Sequence, residues 1–190
     1  MDAAPQEDAF SYKDAKNWVK KYPECYGKHQ SPVIIDARMK VVEHIDEQLT
    51  PTNFNKTPKK MTIKNTGHTV ELKADWTGEP PKIKGGPLVG NYVFDKITFH
   101  WAQKEWSEGI GVNDEPTMIE MEMHLFFYKE DLKSFENAQS KKDGLAAFKV
   151  SFKTGLGDHD DDLFGNLEKN LRKVQSQNST AAIDTPDPHI

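Results

Sequence analysis

Cysteine is nearly absent from this chain: Cys25 is the single one in 190 residues, which excludes an internal disulfide and any metal cluster built on paired cysteines. Cationic excess is missing too. Lys and Arg total 25 against 30 Asp and Glu, a formal charge of -5 with a pI near 5.8. The cations are scattered, so the electrostatic footprint of a nucleic-acid partner or an anionic membrane is lacking. No apolar run approaches the length of a membrane span. The opening Met1-Asp2-Ala3-Ala4-Pro5-Gln6-Glu7-Asp8 lacks the basic and apolar regions of a signal peptide. Hydrophobic residues make up only 36% and mean hydropathy is -0.76. One domain with a sizeable core is expected at this length, with some segments poorly ordered.

What is present is alternation. Ile97-Thr98-Phe99-His100-Trp101 and Glu120-Met121-Glu122-Met123-His124-Leu125 each put polar residues on one strand face and apolar residues on the other. Met61 to Lys73 reads as a further strand, with His68, Val70 and Leu72 on one face and Thr69, Glu71 and Lys73 on the other. Leu145 to Lys153 alternates again, with Ala146, Phe148, Val150 and Phe152 directed inward. Gly85-Gly86-Pro87 and the stretch from Ser107 to Pro116 read as loops. A short surface helix is expected within Lys129 to Lys142. A second, amphipathic helix is expected over Leu163 to Val174, with the acids Asp158 to Asp162 near its positive N-terminal end. Residues 1 to 17 read as an irregular arm and residues 175 to 190 as a flexible tail without periodicity. The fold class is therefore mainly β with few short helices, and the chain carries no internal repeat.

If the first two strands pair, Thr98, His100, Glu122 and His124 share a face. Two imidazoles with a carboxylate behind them are most of a zinc site, because a sheet can present ring nitrogens from neighbouring strands while an acid fixes each tautomer. One ligand is missing. On residue chemistry alone, histidines on strands are more often packed or hydrogen-bonded structural groups.

The order of segments carries more than the spacing does. Trp18-x-x-x-Tyr22-Pro23-x-Cys25-x-Gly27-Lys28-His29-Gln30-Ser31-Pro32 resembles the opening of the α-class carbonic anhydrases. The resemblance continues in order through Asn65-Thr66-Gly67-His68, Gly85-Gly86-Pro87-Leu88, Phe99-His100-Trp101, Ser107-Glu108, Glu122-Met123-His124-Leu125 and Asp143-Gly144-Leu145-Ala146. It covers roughly residues 18 to 158. It implies a twisted, mostly antiparallel central sheet, here expected to lack the family's C-terminal strands. It also implies a zinc-bound hydroxide that attacks carbon dioxide, with a histidine moving the proton out. Matched residue by residue, His100 and His124 fall on two of the three zinc ligands and His68 on the proton-shuttle position. Glu122 falls on the acid behind the ligands, and Glu108 on the acid that orients the hydroxide-binding threonine.

The departures are specific. Thr98 stands where the resemblance implies the first zinc histidine, and Lys96 brings a positive charge beside it. Phe126 and Ala147 replace valines of the carbon dioxide pocket, and Gly109 replaces the histidine after the orienting acid. Nothing resembles the later threonine segment, whose loss would remove an orienting contact worth on the order of a hundredfold in rate. The expected function is a catalytically silent or strongly impaired carbonic anhydrase-like module that binds a protein or glycan, with zinc weak or absent. The alternative is a zinc-dependent carbonate dehydratase whose shell is completed by Glu120, Glu71 or water. On simple alternation, however, Glu71 faces away from His68. A third reading is a shortened fragment that self-associates through unpaired strand edges. Cys25 matches half of a disulfide of secreted members and implies a secreted origin, the alternative being cytoplasmic. Asn55-Lys56-Thr57 and Asn178-Ser179-Thr180 fit the glycosylation pattern.

Overall fold

The computed structural model describes residues 12–28, 47–101, 121–152 and 162–183. Eight strands form a single sheet: β1 (Thr50–Thr52), β2 (Lys60–Asn65), β3 (Val70–Asp75), β4 (Lys82–Lys84), β5 (Tyr92–Trp101), β6 (Met121–Lys129), β7 (Leu145–Phe152) and β8 (Thr180–Ile183). The helices are short: α1 (Trp18–Lys21), α2 (Phe135–Ala138) and α3 (Asp162–Leu171). Every pairing is antiparallel. The main run is β8-β2-β3-β5-β6-β7, while β4 lies along the first residues of β5 and carries β1. This agrees with the mainly β class read from the sequence.

One face of the sheet is closed by helix α3. Ile63, Val70, Leu72, Phe99 and Val174 form a buried cluster against which Leu167, Leu171, Met121 and Met123 pack. Leu167, Leu171 and Val174 recur at helical spacing, so a single stripe of the C-terminal helix reaches the strands. A second cluster lies toward the start of β5, where Ile83, Tyr92 and Phe127 are buried. The Phe127 ring sits edge-on to Phe94 and Phe148, with centroids 5.8 and 5.6 Å away. Burying such an aromatic ring contributes about 2–3 kcal/mol.

A bulge in β5 decides which residues reach the opposite face. Phe94 pairs with Phe127, yet Lys96 pairs with Phe126, so Asp95 is an extra residue in the ladder. Before the bulge the even-numbered Phe94 joins the apolar cluster. After it the even-numbered Lys96, Thr98 and His100 lie on the other face, because an inserted residue reverses the alternation.

Several expectations need correction. Met61 to Lys73 is two strands joined by a turn, not one, so facing cannot be carried by parity from His68 to Glu71. The segment 175–190 is not simply a tail: Thr180–Ile183 pairs with β2 from Met61 to Lys64. That strand was illegible because its four residues, Thr-Ala-Ala-Ile, give alternation too little length to register. Only Phe135–Ala138 is α-helical within 129–142, preceded by a 3-10 turn over Glu130–Leu132. Ser134 caps that helix by accepting from Asn137 N at 3.2 Å. Tyr12–Asn17, read as part of the arm, is a 3-10 helix. In β7, Ala146 and Phe148 pack inward as expected, whereas Val150 is 39% exposed.

Candidate metal centre

The register brings the candidate residues together on the face opposite α3. Thr98 lies directly across from His124, and His100 across from Glu122. The two imidazoles are close, with ring centroids 4.6 Å apart and planes 33° from parallel. Glu122 Oε2 accepts from His124 Nε2 at 3.1 Å. That contact fixes the tautomer and leaves Nδ1 as the ring's free lone pair, the arrangement a metal-ligating histidine needs.

His100 is placed differently. Its Nε2 shares a hydrogen bond of 2.9 Å with Thr98 Oγ1. A ring nitrogen so engaged cannot ligate until the hydroxyl withdraws, and Thr98 is itself only 6% exposed. Burial, followed by the neighbouring His124, lowers the His100 pKa from its ordinary 6.5 and so favours the neutral ring.

Two lysines set the charge of the site: Lys96, already marked by the sequence, and Lys149, which the sequence reading passed over. Lys149, across from His124 in the β6–β7 register, puts Nζ 2.6 Å from Glu122 Oε1. The acid is thus held between a histidine and an ammonium. Glu71 lies across from Thr98 in the β3–β5 register, and its Oε2 accepts from Lys96 Nζ at 2.8 Å. Glu71 is therefore on the same face as the histidines, correcting the expectation drawn from alternation. Its carboxylate is taken by Lys96, whose ammonium also sits 4.6 Å above the Phe135 ring. Lys149 could have been found as the one charge in an otherwise uncharged strand, although only the register shows its partner.

Phe126 and Ala147 lie directly opposite one another. The Phe126 ring is edge-on to Phe135 at 6.0 Å and 6.2 Å from His124, so it forms an aromatic wall beside the histidines. His68 sits in the turn between β2 and β3. That turn is closed by Thr66 N donating to Thr69 O at 2.9 Å and Thr69 N to Thr66 Oγ1 at 3.0 Å. Thr69 Oγ1 ties it to Phe99 O at 2.6 Å. Gly67 has φ +88, a backbone conformation that L side chains rarely adopt, and a Cβ there would also press on the Gln177 side chain, so the turn favours glycine. Glu108, Gly109 and Glu120 lie outside the described residues.

Tetrahedral zinc at a catalytic centre takes three protein ligands. Here one ring offers a free Nδ1, one ring nitrogen is bonded to a hydroxyl, and both nearby carboxylates are held by lysines. These donors do not fit that ligand set. Among the described residues no group of three or more His, Cys, Asp or Glu side chains is arranged to hold a metal ion.

A family model described as eukaryotic-type carbonic anhydrase matches residues 13–189. Human receptor-type tyrosine-protein phosphatase zeta is 33% identical over 185 residues, covering 94% of this chain and 8% of the phosphatase. Mouse carbonic anhydrase 6 is 28% identical, covering 72% of this chain and 42% of that protein. Human carbonic anhydrase 3 is 26% identical, covering 94% of this chain and 66% of the relative. The chain thus spans less than two thirds of the length of these relatives. Among the described residues, no helix is long and apolar enough to cross a membrane.

Proposed function

Because the chain belongs to the eukaryotic-type carbonic anhydrase family, we propose that it is a carbonic anhydrase-like module whose inherited pocket no longer turns over carbon dioxide efficiently and which serves as a binding or structural domain. The observation that carries this reading is the Thr98–His100 hydrogen bond of 2.9 Å. A neutral hydroxyl, a weak metal donor, stands at the first ligand position and occupies the ring nitrogen of the second. The lysines support it. With Glu122 neutralised by Lys149 and Glu71 by Lys96, the face is charge-balanced without a dication, and an added zinc would meet two nearby ammonium groups.

His68, Glu108, His100, His124 and Glu122 are inherited positions in this account, with Phe126 and Ala147 the altered wall. The partner is a protein or glycan. A receptor-type relative supports an extracellular setting. The competing reading, a zinc-dependent carbonate dehydratase, is favoured by one feature, the Glu122–His124 contact that leaves Nδ1 free.

Zinc stoichiometry by elemental analysis, with a carbon dioxide hydration assay on wild type and Thr98→His, separates the two. Substoichiometric zinc and no turnover in wild type are expected, with zinc regained in Thr98→His. Near-stoichiometric zinc with appreciable wild-type turnover would overturn the proposal.

A further inference from the structure

Two asparagines head an Asn-x-Thr triplet, Asn55 with Thr57 and Asn178 with Thr180, and their surroundings separate them. Asn178 lies in the turn that leads into β8. The turn is fastened to Asn65, the last residue of β2: Asn178 N donates to Asn65 O at 2.8 Å, and Asn65 N donates to Ser179 O at 3.0 Å. Ser179 N closes it by donating to Ser176 O at 3.1 Å, and the Ser179 hydroxyl donates to the same oxygen. The two residues that carry the chemistry are both exposed, Asn178 in the turn and Thr180 at the first position of β8. Asn178 has φ +62, a left-handed conformation that asparagine tolerates better than most residues. The sheet thus holds the backbone while the residue stays open to solvent, where a bulky hydrophilic group can be carried.

Asn55 is exposed as well, in a turn where Lys56 N donates to Asn53 O at 3.2 Å. What differs is the residue after the threonine. Pro58 confines Thr57 to extended backbone, which opposes the fold-back that brings a threonine hydroxyl to the asparagine amide two residues before it. This restriction is local, so it acts on the unfolded chain too. Ala181, after Thr180, imposes none.

We propose that Asn178, and not Asn55, is an N-glycosylation site of this chain. The inference rests on the extracellular setting proposed above and is independent of whether the pocket binds zinc. The co-reactant is an oligosaccharide carried on a lipid diphosphate. Asn178 Nδ2 forms a bond to the anomeric carbon of the first sugar, the bond from that carbon to the diphosphate oxygen breaks, and one amide proton is lost. The lipid diphosphate leaves with the electron pair, so nothing is oxidised or reduced. The attached sugar stands at the end of the sheet that carries the His68 turn, because the Gln177 side chain lies against Gly67.

The test is the full chain behind a cleavable secretion leader, translated with endoplasmic-reticulum microsomes and read by gel shift and intact mass before and after an amidase that removes N-glycans. A single glycan is expected on the protease-protected chain, and peptide mapping should place it at Asn178 with Asn55 unmodified. Thr180→Ala should abolish the glycan, and Thr180→Ser should keep part of it. The triplet is broken at Thr180 because replacing Asn178 would disturb a left-handed turn. The readout is on the translocated chain and does not require a variant to fold. A protected chain without a glycan overturns the proposal, as does a glycan that survives Thr180→Ala or maps to Asn55. The setting is scored apart, by locating the endogenous protein in the cells that make it. Confinement to the cytosol would overturn the extracellular setting and modification in the cell with it, while the microsomes still decide whether Asn178 is the acceptor.

Discussion

Thr98 Oγ1 and His100 Nε2, two residues apart on one face of β5, are 2.9 Å apart and close a hydrogen bond inside the site. The Thr98 side chain therefore caps the ring beside it. Thr98 is buried and His100 half-buried, so the bond satisfies polarity that would otherwise be partly stranded.

Replacing Thr98 by Val keeps the shape and leaves the His100 nitrogen unpartnered. A loss of about 1–2 kcal/mol is expected, read from the urea midpoint at unchanged slope, with Thr98→Ser retaining most of the stability. Equal stability of the Val variant and wild type would show that the bond is of no structural consequence.

Lys149→Met should strand the Glu122 carboxylate, whose side chain is only 15% exposed. The pair is partly solvated, so the cost is set at about 1–2 kcal/mol rather than the larger penalty of a fully buried ion. Adding Glu122→Gln should restore part of it, and a double-mutant cycle on unfolding free energies measures the coupling. Strict additivity of the two single changes would rule out the interaction.

Stability should fall as pH drops below about 6.5. Burial lowers the His100 pKa, so on acidification the unfolded chain binds the proton first and is favoured. The effect is absent well above the ordinary value and grows as pH falls toward the folded value. Asp95, whose carboxyl burial pushes up from 3.8, acts with the opposite sign. Acidification through its raised range favours the folded chain, so the test is kept near neutrality. Urea unfolding at about pH 7.5 and about pH 5.5 should show the loss in wild type and a smaller one in His100→Asn. An identical pH dependence in both would assign it elsewhere.

Asn65 joins the His68 turn to the C-terminal segment. Its Nδ2 donates to Val174 O at 3.0 Å, and its Oδ1 accepts from Gly67 N at 2.9 Å. Asn65→Ala should cost about 1–2 kcal/mol and should speed amide exchange in both the turn and Thr180–Ile183. Faster exchange in the turn alone would mean that β8 is held by its β2 ladder without this link.

The candidate site was legible as far as local alternation reaches. Thr98 and His100 on one strand, with Glu122 and His124 on another, were placed on common faces from the sequence, and the ladder of β5 with β6 puts them together. Glu71 was misplaced because alternation was carried through residues 66–69, where the backbone turns. Asp95 left no pattern, since a bulge shows only when two strands are aligned. Lys149 was passed over because its importance lies in a contact with Glu122 across strands, and strand β8 was too short to announce itself.

The sequence alone determined the strand-rich class and the family to which the chain belongs, and it set Thr98 and His100 on one strand face with Glu122 and His124 on another. These follow from side-chain chemistry and segment order, both written along the chain. The tertiary structure decided that Thr98 engages His100 and that Lys149 and Lys96 take up the carboxylates. It also decided that a bulge turns Thr98 and His100 away from the face that carries Phe94. Those outcomes depend on register between strands distant in sequence, and a register shift of one residue moves every side chain to the other face.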